Sequence, residues 1–159
     1  MSAELVASDL EGTLTTGETW RGVGRYLREE RGPWAGMRYR AFFAMNTPGI
    51  LLARRGLFDE QGMRIRWMRD LSRFFRGFDA AELGRMAEWV VERELWPKRR
   101  EVVIAELAAH RAAGRRVLLV SGTYQPVLEV FARRIGAEAI GTPLEVREGR
   151  ATGRRWRGR

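Results

Sequence analysis

Leu5-Val6-Ala7-Ser8-Asp9-Leu10-Glu11-Gly12-Thr13-Leu14-Thr15 is a short apolar run that ends in two carboxylates spaced i, i+2, followed by a glycine and hydroxyl residues. A run bounded in this way reads as a buried strand of a parallel sheet. Open α/β sheets hold their ligands just beyond the carboxyl ends of such strands. Because strand side chains alternate, Asp9 and Glu11 project in the same direction. Gly12 allows a sharp turn and a close approach of backbone to ligand. The pattern suits an Asp nucleophile, a neighbouring acid/base and a loop that cradles phosphate.

A second stretch answers the first. Val117-Leu118-Leu119-Val120 reads as another buried parallel strand, and Ser121-Gly122-Thr123 follows it directly, ahead of a helical pattern. A small hydroxyl and exposed N–H groups at a helix start form an anion site. Adjacent parallel strands bring Asp9 and Ser121 together. The helices on either side of the second strand read clearly. Glu101 to Ala113 places Val103, Ile104, Leu107 and Ala108 on one face and stops at Gly114. Val127, Leu128, Phe131 and Ile135 form the next face, ended by Gly136. Ala139-Ile140 begins a short strand. Leu144-Glu145-Val146 and Arg150-Ala151-Thr152 flank Glu148-Gly149, which signals a hairpin.

Between the two motifs, Gly17 to Glu94 is helical and irregularly amphipathic. Trp20, Val23, Tyr26 and Leu27 fall at helical spacing, as do Trp67, Leu71, Phe74 and Phe75. Gly32-Pro33, Thr47-Pro48-Gly49 and Gly77 punctuate it, and a bundle of about four helices is expected. Trp96-Pro97 marks the return to alternating strand and helix. The expected organisation is a discontinuous α/β core over 1–16 and 96–153, a helical insert over 17–95 and a basic tail over 154–159.

Composition narrows the classes. The chain has 159 residues, 45% of them hydrophobic, and no cysteine, which excludes disulfides, thiolate metal sites and Cys nucleophiles. His110 is the sole histidine, so no His-based triad or metal cluster exists. The apolar stretch Ala41 to Ala53, broken by Asn46, Thr47, Pro48 and Gly49, falls short of the ~20 residues a bilayer span needs. With no signal-peptide pattern, a cytoplasmic location is expected. Net charge is +9, and every basic residue but Lys98 is arginine. The arginines read as solvated faces, with attraction of phosphates or nucleic acid as the alternative. Most of the six tryptophans fall at helical spacing and read as core, with base stacking as the alternative. Nucleic acid is not the expected partner.

The two motifs together resemble the haloacid dehalogenase superfamily, in the phosphoserine phosphatase branch (subfamily IB). Asp9-Leu10-Glu11-Gly12-Thr13-Leu14-Thr15 is similar to its first motif, Asp-x-Asp-Gly-Thr-(Leu/Val)-(Thr/Ser), with Glu in the second acidic place. Leu119-Val120-Ser121-Gly122-Thr123 is similar to its second. The helical insert sits where this branch carries its cap, and Arg147 to Gly153 resembles the hairpin after the second motif. The resemblance implies a Rossmann-like parallel sheet with an inserted helical cap and a magnesium-dependent phosphomonoester hydrolase acting on a small phosphorylated metabolite. It implies that Asp9 attacks phosphorus, that Glu11 protonates the leaving group, and that Thr13, Ser121 and Gly122 hold the phosphoryl oxygens. Magnesium would be held by Asp9 and the Glu11 carbonyl.

Two positions in the insert match as well. Glu18 follows the nucleophile by nine residues, where these phosphatases place a Glu toward the substrate amine. Glu60-Gln61-Gly62-Met63-Arg64-Ile65-Arg66 resembles a segment whose last Arg faces the substrate carboxylate. The alternatives are a helix-start Glu favoured by the dipole and a solvated Arg. The apolar stretch around Phe42–Leu52 departs from the family pattern and leaves room for a phosphoester with an apolar tail. The family continues past the hairpin to a third-motif lysine and an acidic fourth motif. This sequence stops at Arg159, Lys98 lies ahead of the second motif, and no acidic residue follows Glu148. A C-terminally truncated sheet is therefore expected. An exposed edge on the first strand would promote self-association. The alternative function is a catalytically incompetent fragment or a partner-dependent, non-enzymatic protein.

Overall fold

The computed structural model describes residues 4–54 and 60–155. The sequence folds into a three-stranded parallel sheet in the order β1-β2-β3, built from β1 (Leu5–Ser8), β2 (Arg116–Tyr124) and β3 (Glu138–Thr142). β1 pairs with β2 from Leu5↔Arg116 to Ser8↔Leu119, and β2 pairs with β3 through Leu119↔Ala139 and Val120↔Ile140. The central position of β2 follows from its sequence, a continuous apolar run that needs cover on both edges.

Helix α5 (Glu101–Ala112) precedes β2, and α6 (Gln125–Ile135) joins β2 to β3. Both crossovers step the same way across the sheet, so right-handed connections put both helices on one face. That face carries Val117 and Leu119, which are buried with Leu107 of α5 and Val127, Leu128 and Phe131 of α6. The opposite face carries Leu5, Val120 and Ile140, which stay 54%, 46% and 57% exposed. Among the described residues, β1 pairs on one side only. An apolar face beside an unpaired strand edge favours association between copies. Light scattering across a concentration series should show an apparent mass that rises above the 18.3 kDa of one chain. Leu5→Arg should suppress that rise. A concentration-independent monomer would contradict it.

The insert forms four helices: α1 (Thr19–Glu30), α2 (Pro33–Arg54), α3 (Glu60–Leu71) and α4 (Ala80–Val90). A 3-10 turn over Ser72–Phe75 follows α3, and a π-helical turn over Val91–Leu95 follows α4. Val23, Tyr26 and Leu27 of α1 and Leu83, Met86, Ala87 and Val90 of α4 are buried. Asp79 opens α4 with a reciprocal cap, accepting from the Glu82 N–H at 2.8 Å while Glu82 accepts from the Asp79 N–H at 3.0 Å. That second bond holds the Glu82 carboxyl below its ordinary value. Trp20, Tyr39, Phe42, Phe43, Trp67 and Phe74 stack or meet edge-on inside the insert, with ring centroids 5.0–6.5 Å apart. The Tyr39 hydroxyl donates to the Trp20 carbonyl at 2.6 Å, and burial pushes its phenol well above the ordinary range.

Two expectations change. Thr47-Pro48-Gly49 does not break the chain: α2 runs through Pro48. Asn46 and Thr47 turn back to donate to the Phe42 and Phe43 carbonyls at 2.7 and 2.8 Å, giving the turn before the proline donors of its own. The hairpin of β4 (Leu144–Arg147) and β5 (Arg150–Arg155) extends two residues into the stretch read as a tail. It turns through Glu148 and Gly149, both at positive φ, as a two-residue hairpin requires. The hairpin lies outside the parallel sheet and clamps the insert. Ala151 exchanges backbone bonds with Gly77 and Phe78 at 2.8 Å, and Ser72 Oγ donates to the Gly153 carbonyl at 3.0 Å. The remaining residues of the expected tail, 156–159, lie outside the described residues.

Candidate active site

The site forms where β1 and β2 end side by side. Asp9 follows the last residue of β1 and is exposed. Its Oδ1 accepts from the Leu10 N–H at 2.7 Å, which fixes the carboxylate rotamer. Leu10 and Leu14 anchor the turn from below, both fully buried. The Leu14 and Thr15 N–H groups both return to the Leu10 carbonyl, at 2.9 and 3.2 Å. Gly12 completes the loop at φ +85°, a backbone conformation open to glycine but strained for other residues. Thr13 lies half-buried on this loop.

Glu11 is the best-anchored group of the site. Its Oε1 accepts from the Thr19 N–H at 2.9 Å and from the Thr123 hydroxyl at 3.3 Å. The Thr19 and Thr123 hydroxyls lie 2.6 Å apart, and both residues are buried. One carboxylate oxygen therefore ties together the first-motif loop, the end of β2 and the first turn of α1. At that turn the helix dipole favours a negative charge. Oε2 has no hydrogen-bond partner among the described residues. Thr19 and Thr123 were not identified as site residues from the sequence. Thr123 carried a signal, its place beside Ser121-Gly122, whereas Thr19 had none beyond its position at a helix start.

Ser121 and Gly122 stand on the neighbouring strand end. The sequence implied a loop at a helix N-terminus here. Instead β2 continues irregularly to Tyr124, with a register shift between Val120 and Tyr124, and α6 starts only at Gln125. Close packing from β3 accounts for this extension. The Gly122 carbonyl accepts from the Thr142 hydroxyl at 2.9 Å, and Gln125 Oε1 accepts from the Gly141 N–H at 2.5 Å. Ser121 Oγ accepts weakly from the Thr123 N–H at 3.4 Å, which leaves its own proton free to donate.

The insert is joined to the core through tight contacts at its two ends. Thr15 Oγ1 donates to the Leu95 carbonyl at 2.7 Å and accepts from the Gly17 N–H at 3.0 Å. A Cβ on Gly17 would lie 2.5 Å from the Glu94 carbonyl oxygen, so glycine is required there by contact. The buried Glu94 carboxylate pairs with Lys98 and, at 3.4 Å, with Arg25. Lys98 is thus committed to Glu94. On the other side of the site, the Tyr124 hydroxyl donates to the Met68 carbonyl of α3 at 2.7 Å.

The two insert residues singled out from the sequence have different neighbours. Glu18 sits at the start of α1, paired with Arg21 at 2.5 Å. Arg66 is exposed on α3 and lines a cleft of about 460 Å³ with Met45, Asn46, Gly49, Trp67, Arg69 and Asp70. Glu18 is not part of that cleft. The side chains of Glu60, Gln61, Met63, Arg64 and Ile65 lie outside the described residues.

No cluster of three His, Asp or Glu side chains suited to a metal occurs among the described residues. Magnesium, however, is commonly held by one or two carboxylates together with water and substrate phosphate. The Asp9 carboxylate is exposed, and the Glu11 carbonyl accepts no hydrogen bond among the described residues. Two hard oxygen donors on the loop after β1 fit that mode.

The family model for haloacid dehalogenase-like hydrolases matches residues 6–158. The chain belongs to that family. Solved structures place this haloacid dehalogenase-like chain among similar folds. A protein of unknown function from Bordetella pertussis Tohama I is 22% identical with a TM-score of 0.76, the alignment covering 98% of this chain and 67% of that one. A family hydrolase from Salmonella enterica serovar Typhi is 16% identical with a TM-score of 0.61, over 96% of this chain and 45% of that one. A substrate-bound phosphoserine phosphatase is 15% identical with a TM-score of 0.58, over 98% of this chain and 63% of that one. This haloacid dehalogenase-like chain therefore spans roughly half to two thirds of the length of these relatives in fold. No curated protein matches it significantly in sequence.

Proposed function

We propose that this chain carries a phosphomonoester hydrolase site in which Asp9 is the nucleophile and Glu11 the general acid and base. The observation that supports this most directly is the bond from Thr123 to Glu11. It joins the loop after β1 to the end of the adjacent parallel strand β2, with Asp9 exposed beside it. In the first step, the free oxygen of Asp9 attacks phosphorus in line and the ester P–O bond breaks. The leaving alkoxide takes the proton held on Glu11. In the second step, a water attacks phosphorus and passes a proton to Glu11. The aspartyl P–O bond breaks, and inorganic phosphate and the Asp9 carboxylate are restored. Because Oε1 of Glu11 is occupied by two donors, Oε2 is the oxygen that carries the proton. Thr13, Ser121 and the Gly122 N–H hold the phosphoryl oxygens. Magnesium on Asp9 and the Glu11 carbonyl would neutralise charge between nucleophile and phosphate.

The test is hydrolysis of a small aryl phosphate by the chain, with and without magnesium. Magnesium-dependent turnover supports the proposal. Complete inactivity would favour the alternative of a non-enzymatic or partner-dependent protein.

For the substrate, we propose a small phosphorylated metabolite whose head group meets Glu18 and Arg66. If it is phosphoserine, Glu18→Ala and Arg66→Ala should each lower kcat/KM for phosphoserine by roughly tenfold to a hundredfold, the loss of one charged hydrogen bond. An aryl phosphate should be affected much less. Equal losses on both substrates would remove the amino-acid reading. The Met45 and Trp67 walls of the Arg66 cleft favour a second reading, a phosphoester with an apolar portion.

A further inference from the structure

The second helix of the insert has two apolar faces, and only one is packed among the described residues. Its inner face packs on α1 and α3 through Tyr39, Phe42 and Phe43. Trp34, Met37, Ala41, Ala44, Met45 and Pro48 occupy the opposite side, and all are exposed. Trp34 is 74% exposed, Met37 52% and Met45 82%. From Trp34 to Pro48 this stripe runs about 21 Å along the helix. Arg38 borders it on one margin and Arg40 on the other, both exposed. Across Pro33–Arg54 there is no Asp or Glu. A surface helix of a globular domain ordinarily turns polar residues outward. An exposed apolar stripe edged by cations marks an interaction surface.

We propose that α2 seats its outer face on the surface of an anionic lipid bilayer. Three observations favour this occupant. The stripe is the convex side of one helix, suited to sinking a shallow distance into a headgroup layer. A tryptophan at one end and arginines along both margins match the two phases of such a layer, with apolar groups below and cations among the phosphates. The whole chain carries a net charge of +9, which draws it toward negative lipid. A second copy of the same face is a poor occupant, since it would bring arginines against arginines with no carboxylate on α2 to answer them. The helix does not cross the bilayer: no helix among the described residues is long and apolar enough to do so.

The absence of native cysteine makes a direct test available. The full chain would be sedimented with vesicles of phosphatidylcholine, with and without phosphatidylglycerol, across a salt series. It should bind the anionic vesicles, and binding should weaken with salt. Trp34→Ser and Met45→Ser should each weaken binding by roughly tenfold, and Arg38→Gln and Arg40→Gln by roughly fivefold each. All four positions are exposed, and circular dichroism would confirm that the variants fold. A polarity-sensitive fluorophore on Met45→Cys should shift to an apolar signal on anionic vesicles. The same label on Ile140→Cys, on the bare sheet face, should not. Failure of the chain to bind, or binding unaffected by the four substitutions, would overturn the proposal. So would a vesicle-induced shift confined to the Ile140→Cys label. If the Met45→Cys label became apolar on concentrating the protein without lipid, the face would belong to a second copy and the proposal would fall.

Discussion

Asp9→Asn should reduce hydrolysis of an aryl phosphate to the uncatalysed rate while leaving the fold intact. The amide is nearly isosteric, and its oxygen can still accept from the Leu10 N–H that holds Asp9 at 2.7 Å. What it lacks is the charged oxygen that forms the bond to phosphorus, and no neighbouring group on the loop can substitute for it. Thr13 and Ser121 are unactivated hydroxyls, and Glu11 is held by α1 and Thr123. The same variant should also fail to incorporate label from phosphorylated substrate, whereas the parent chain should incorporate it at Asp9. Two measurements check this: steady-state turnover and mass analysis of the peptide carrying residues 5–15. Turnover that survives Asp9→Asn would transfer the nucleophile role elsewhere and overturn the proposed mechanism.

Glu11→Gln should slow turnover by roughly 10²–10⁴, the usual cost of losing general acid–base help. The effect should be larger for a poor alkoxide leaving group than for an activated aryl one, because only the former needs a proton. Glutamine keeps an amide oxygen where Oε1 accepts from Thr19 and Thr123, so the thermal midpoint should barely move. Glu11→Ala separates chemistry from architecture. It leaves the first N–H of α1 and one hydroxyl of the buried Thr19–Thr123 pair without an acceptor and should destabilise the chain by about 1–3 kcal/mol in addition. If Glu11→Gln and Glu11→Ala proved equally stable, the carboxylate would not be the clasp between core and insert that its contacts imply. If Glu11→Gln kept full rate on an alkyl phosphate, the acid role would pass to another group.

The three predicted strands and the helices flanking β2 were legible because their signals are local. Val117–Val120 is continuously apolar, Gly114 and Gly136 close their helices at positive φ, and Glu148-Gly149 turns the hairpin. The same holds for the loop after β1, where Asp9, Glu11 and Gly12 stand within four residues. Pro48 misled because its effect on α2 depends on neighbours. Asn46 and Thr47 supply donors to the preceding turn, and packing against α1 and α3 carries the helix through. Helical spacing marks an apolar stripe but does not say whether anything packs against it, and among the described residues α2 has two stripes and partners for one.

The sequence by itself determined that Asp9 and Glu11 stand just past the end of the first strand, since an apolar run and a glycine-permitted turn are properties of a few consecutive residues. It also determined that two parallel strand ends lie together, because a strand–helix–strand order allows little else. Only the tertiary structure decided what holds Glu11. Thr19 and Thr123 are 104 residues apart, and their hydroxyls come within 2.6 Å only after β2 has paired with β1 and α1 has docked on the loop. It also decided that Glu18 is paired with Arg21 and that Arg66 lines a cleft with Trp67, Arg69 and Asp70. Those placements depend on how the insert's helices pack against one another, which the spacing of residues along the chain does not encode.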